Sequence, residues 1–220
     1  MKNNIKMPKQ VRHDDMQGRS MVEMLGVLAI IGVLSAGGLA GYSKAMFKHK
    51  LNSTMDQITM LVTNIRTAYG QQGNYNGLTL AKAYQLGIIP SVMASSSSGP
   101  FTNPFKGTVA LDLSTAKGTT VLGDDSTDAA TAFVLTYGGL PREACIALAT
   151  ADFGSGAGSG FIGVKAFPGS TSKVDGKDTN NNAASLKVGD NTEGKALKMS
   201  EALASTACGS EVNTVSWKFY

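Results

Sequence analysis

From Met24 to Tyr42 the chain carries no charge and is broken only by Ser35 and small residues, which predicts one membrane-length helix. At about 1.5 Å per residue, such a run reaches across roughly 30 Å of hydrocarbon. Behind it the pattern changes. Phe47, Leu51, Met55, Ile58, Val62, Ile65 and Tyr69 recur at steps of four and three, one apolar stripe on a helix. Lys48, Lys50, Asn52, Asn64 and Arg66 fall on the opposite face, and Gly70 with Gln71-Gln72-Gly73-Asn74 supplies the stop. Counted from Ser20, a continuous helix has about fifty residues and a length near 75 Å. Its apolar half suits a membrane or a filament core; its amphipathic half suits packing on a globular head.

Beyond Gly70 the pattern shortens and alternates. Leu80–Leu86 reads as a short helix, and Ser95–Ser98 as a loop. Val109–Leu113 and Thr119–Leu122 read as strands of a hairpin around Ala116-Lys117-Gly118, and Ala132–Tyr137 as a strand bounded by Gly138-Gly139. Pro141 is expected in the first turn of a helix that contains Cys145, where no amide hydrogen is needed. Phe161–Phe167 is a further strand, Ser170–Gly194 a polar excursion, Ser200–Ala207 a helix, and Thr214–Tyr220 a last strand. The fold class is α+β, with a mainly antiparallel sheet laid on the long helix.

Composition adds little to this and excludes much. The 220 residues allow one core-bearing domain beyond the apolar segment. Half of the formal charge of +4 comes from Met1–Gly18, where Lys2, Lys6, Lys9 and Arg12 face Asp14 and Asp15. The remainder is too small to argue for nucleic acid. Cys145 and Cys208 are the only cysteines. With the basic leader in the cytoplasm the head lies outside, where one disulfide is expected. Two buried free thiols, or a two-cysteine metal site with no histidine beside it, are the alternatives.

One carboxylate breaks the apolar pattern. Glu23 stands at the edge of the membrane-length run, where a charge needs a partner or a functional reason. The polar stretch before it ends in Gly18-Arg19-Ser20-Met21-Val22. A secretory signal would instead be cut after the apolar run, near Ala36, and would discard Glu23. A basic leader ending in glycine, a glutamate five residues on and an apolar helix behind it together resemble the type IV prepilins.

That resemblance implies a leader at 1–18, a hydrophobic helix at 19–45 that spans the membrane before assembly and forms the filament core after it, and a head at 46–220. It implies cleavage between Gly18 and Arg19 by a membrane-embedded prepilin peptidase, and methylation of the new amino terminus at Arg19, where the family has an apolar residue. Glu23 is then the assembly residue, paired with the amino terminus of a neighbouring subunit, and the Arg19 guanidinium is an additional partner. Glycines Gly37, Gly38 and Gly41 are expected to let the helix unwind in the filament, or else to permit close packing.

Three head motifs sharpen the resemblance toward the type IVb subclass, with its bundle-forming, toxin-coregulated and plasmid-encoded thin-pilus pilins. They are Asn103-Pro104-Phe105, Gly139-Leu140 before Cys145, and Cys208 before a last strand. The first is expected to be an ordinary turn with a buried aromatic. The implied function is the major structural subunit of a surface filament for adhesion, aggregation or mating-pair stabilisation. It would be a homo-oligomer that starts in the inner membrane and passes through an inner-membrane assembly platform to the cell surface. A minor pilin or pseudopilin, and a membrane-tethered ectodomain, are the alternatives. No catalytic constellation, cofactor or metal is expected. Asp124-Asp125-Ser126-Thr127-Asp128 and Asp175-Gly176-Lys177-Asp178-Thr179-Asn180 lack the ligand spacing of a calcium loop.

Overall fold

In the computed structural model one helix, α1, runs from Asp15 to Tyr69 over 55 residues. The structure describes residues 15–94, 96–115, 121–122, 129–154, 160–170, 198–203 and 207–220. The chain divides into two compact units, Met1–Lys48 and His49–Tyr220. The described backbone of the first is helical throughout, and its side chains from Met21 to Ala45 are all exposed.

In the second unit, the end of α1 contributes Ile58, Leu61, Val62, Ile65 and Tyr69 to the core. The stripe is wider than its apolar members, since Thr54 and Gln57 are also buried. The polar face is narrower, because Lys50, Asn64 and Arg66 are half-buried. Asn64 shows why: its amide donates to the carbonyl of Ile88 at 3.2 Å. Helix α2 (Leu80–Gln85) is capped by Thr79, whose hydroxyl accepts from the amide of Lys82. Its far end closes as a Schellman turn, with Ile88 N–H on Ala83 O, Gly87 N–H on Tyr84 O and Gly87 at φ +70.

Five strands follow: β1 (Val109–Ser114), β2 (Val121–Leu122), β3 (Ala132–Pro141), β4 (Phe161–Pro168) and β5 (Val212–Phe219). They form one sheet in the order β2-β1-β3-β5-β4, antiparallel at every pairing. Phe133 pairs with Phe219, Leu135 with Trp217 and Tyr137 with Val215, so the alternation of a strand sends all six to one face. Each is at most 1% exposed and belongs to the same core as the α1 stripe. Rings lock this layer, with Tyr137 edge-on to Trp217 at 5.7 Å and Phe133 stacked on Phe219 at 5.7 Å.

The other face is polar yet equally buried. Thr136, Thr214, Ser216 and Lys218 are all 0–1% exposed. Their polarity is absorbed locally, by Thr136 and Ser216 hydroxyls 2.8 Å apart and by Thr214 donating to Gly169 O at 2.7 Å. Burial lowers the ammonium pKa of Lys218 to about 8.

Helix α3 (Arg142–Ala149) buries Ala144, Cys145, Leu148 and Ala149 at helical spacing. Pro141 does not enter its first turn: at φ −64 and ψ 155 it is the residue before it, shared with the end of β3. Nor does β3 stop at Gly138-Gly139, which form a bulge between Tyr137 and Leu140. Helix α4 is only Met199–Ala202, shorter than expected, and Cys208 follows it in a bend. The hairpin turn at 116–118 and most of the polar excursion lie outside the described residues.

Candidate functional site

In the first unit, α1 passes through Gly18, Arg19 and Glu23 without a break. Of Gly18 and Arg19 the structure describes the helical backbone only. Glu23 itself is exposed, as are Met24, Val27 and Leu28 around it. Met21, Val33 and Leu39 are each at least 70% exposed, and none of the apolar window is buried. So much bare apolar surface is unstable in water and demands hydrocarbon or another protein. A Cβ added at Gly26, Gly32, Gly37, Gly38 or Gly41 would meet no atom within 4 Å. A glycine inside a helix costs about 1 kcal/mol relative to alanine. Among the described residues nothing packs against these positions to offset that cost.

In the second unit, Cys145 and Cys208 form a disulfide with their Cα atoms 5.7 Å apart, closing a separation of 63 residues. Both are fully buried, and free thiols and a metal pair are thereby excluded at these positions.

Asn103-Pro104-Phe105 does more than turn the chain. Asn103 is 4% exposed, and its amide donates to Gly138 O at 2.9 Å. Its side-chain oxygen accepts from Phe105 N–H at 2.9 Å and Gly107 N–H at 3.0 Å. The buried group is thus the asparagine, while Phe105 is only half-buried, against the expectation. The motif clamps its loop onto the bulge of β3, where a Cβ on Gly107 would stand 1.8 Å from Gly138 O. The sequence marked both partners of this clamp, Asn103-Pro104-Phe105 and Gly138-Gly139, but not that they meet.

Trp217 is core, and Tyr220 lies at 41% exposure beside the end of α1. His49 is exposed. Among the described residues no three acidic, histidine or cysteine side chains cluster as metal ligands. Both aspartate-rich stretches singled out in the sequence lie outside those residues.

An exposed apolar helix, an antiparallel sheet on the amphipathic continuation of that helix and one disulfide define the architecture with which known proteins can be compared. Residues 44–216 match the family model described as Bundlin. The major structural subunit of the bundle-forming pilus of Escherichia coli O111:H- is 24% identical over 192 residues, 87% of each chain. Its counterpart from Escherichia coli O127:H6 (strain E2348/69 / EPEC) is 27% identical over 141 residues, 64% of this chain and 67% of that one. Among solved structures, TcpA, a type IV pilin from Vibrio cholerae El Tor biotype, aligns over 78% of this chain and 99% of its own with 19% identity and a TM-score of 0.43. A type IVb pilin from Salmonella typhi aligns over 76% and 97% with 17% identity and the same TM-score of 0.43. The chain belongs to the bundlin family of type IVb pilins.

Proposed function

We propose that this chain is the major structural subunit of a type IVb pilus, a homo-oligomeric filament on the cell surface. The observation that carries the reading is the bare apolar surface of α1 from Met21 to Ala45, interrupted by Glu23 alone before Lys44. A filament built by packing these helices side by side buries that surface and, in the same act, gives the glycines close neighbours or room to unwind. Before assembly the helix is held in the inner membrane. A prepilin peptidase removes the leader after Gly18, the new amino terminus at Arg19 is methylated, and an inner-membrane platform passes the subunit into the growing fibre. Glu23 is the residue that selects register, because a carboxylate in an apolar core is tolerated only opposite a cation, here at the amino terminus of a neighbour.

Intact-mass measurement and amino-terminal sequencing of protein sheared from the cell surface test the reading. A chain that begins at Arg19, carries one disulfide and dominates the sheared material is expected. A chain beginning after Ala36, or no sheared material, would refute it; a processed chain present only in traces would make it a minor pilin.

A further inference from the structure

Between Glu23 and Lys44 no residue is charged, and Lys44 follows Glu23 by 21 residues of unbroken α1. At about 1.5 Å per residue the two positions stand roughly 31 Å apart along the axis, the thickness of a hydrocarbon layer. A helix of this length that spans a bilayer sets Glu23 at one interface and Lys44 at the other. Lys48 lies one further turn along, on the same line of the helix, and both lysine side chains are exposed. Like charges at this spacing repel. No neighbouring carboxylate offsets them, because the sequence has none between Glu23 and Asp56.

The groups just before the lysines mark where the polar zone begins. Ser43 returns its hydroxyl to the carbonyl of Ala40 at 3.0 Å and needs no solvent there. Tyr42 is 64% exposed, an aromatic ring with a polar tip of the kind that settles at headgroup depth. Lys44 is then the first side chain after the apolar run that requires water or an anion.

We infer that Lys44 and Lys48 bind the phosphate groups of anionic phospholipid in the leaflet on the far side of the membrane from the leader. The inference rests on the reading of α1 as a membrane-held helix before assembly. Lys2, Lys6, Lys9 and Arg12 place the leader on the cytoplasmic side, so the lysine pair meets the outward leaflet. A phosphate between two ammonium groups one turn apart replaces their repulsion by two attractions, and each ammonium brings three donors to its oxygens. Zwitterionic lipid offers the same phosphate beside its own cation, which makes net anionic lipid the preferred ligand. Held in this way, the outer end of α1 fixes the depth of the helix and keeps Glu23 in the opposite headgroup layer, where its charge stays hydrated. Drawing α1 outward breaks the lysine contacts and pulls Glu23 into hydrocarbon in one movement.

The test places a photo-crosslinking amino acid at Ala45, an exposed position between the two lysines. The full-length chain is reconstituted into vesicles of equal phosphatidylglycerol and phosphatidylcholine, and crosslinked lipid is identified by mass. Capture of phosphatidylglycerol at least threefold over phosphatidylcholine is expected. The preference should persist in Lys44→Arg combined with Lys48→Arg and fall to parity in Lys44→Gln combined with Lys48→Gln. Parity in the parent would overturn the inference, as would a preference that survives the loss of both charges, or crosslinks to a second copy of the chain in place of lipid. A parent chain that fails to enter the vesicles would instead overturn the membrane-held reading beneath it.

Discussion

The side-chain amide of Asn103 donates to the backbone carbonyl of Gly138 across 2.9 Å, joining the loop after α2 to the bulge of β3. Asn103 answers three backbone groups at once, so its loss strands several of them in a buried place. Asn103→Ala is expected to cost about 2–4 kcal/mol, as measured by denaturant unfolding of a head lacking the apolar half of α1. Asn103→Asp should recover only part of this, since it keeps the acceptor for Phe105 and Gly107 but turns a second acceptor toward Gly138 O. Equal stability of all three proteins would show that the clamp is incidental.

The disulfide links α3 to the bend before β5 across 63 residues. In the chain-entropy model a closure of this size is worth about 4 kcal/mol. Replacing both cysteines by serine should lower the unfolding free energy by an amount of that order, seen as a lower denaturation midpoint. An unchanged midpoint would mean that the 145–208 segment is already restrained in the unfolded chain.

Lys218 gives the head a signature at alkaline pH. Its pKa is lowered from 10.5 to about 8 by burial. Between these values the unfolded chain holds more protons than the folded one, so stability contributed by this residue rises with pH across that window and is flat below it. The difference in unfolding free energy between the parent and Lys218→Met, followed from about pH 7 to about pH 10, should therefore shift steadily in favour of the parent. A constant difference would place the Lys218 ammonium at its ordinary pKa.

Tyr137 is fully buried, its hydroxyl has no hydrogen-bond partner among the described residues, and burial pushes its pKa well above the usual phenol range. The adjoining Trp217 indole N–H likewise has no partner among the described residues. Tyr137→Phe removes a desolvated polar group while keeping the ring against Trp217, and is expected to be neutral or to stabilise by up to about 1 kcal/mol. A thermal midpoint several degrees lower would reveal that a bound water satisfies the hydroxyl.

Periodicity carried most of the fold. The steps of three and four that end at Tyr69 reflect burial on one face and were legible without a structure, and Ala132–Tyr137 was legible from its β-branched and aromatic residues although both of its faces are buried. Where it failed, another force prevailed. Gly138-Gly139 resembles the end of a strand, but the backbone of Gly107 needs that space and the strand bulges instead of stopping. Leu61 belongs to the core beside Val62 because the sheet covers more than one stripe of the helix. The row Thr136, Ser216, Lys218 has the composition of a wet face and is nonetheless shut from solvent, which no pattern of single residues announces. Glu23 stood out for the opposite reason: it departs from its surroundings so sharply that chemistry alone singled it out, while its role in assembly is a proposal that rests on the resemblance.

The place of β5 in the sheet sets an order of events. It is synthesised after β3 and β4, yet it is the strand that joins them. Until Val212–Phe219 arrives, the two strands have only unsatisfied edges to offer each other, and a half-made head is open to pairing with another chain. Cys208 precedes β5 by only a few residues, so its bond to Cys145 becomes available just as the sheet can close. The vulnerable moment for this fold is thus the interval before Val212–Phe219 enters the middle of the sheet, when the facing edges of β3 and β4 are still open.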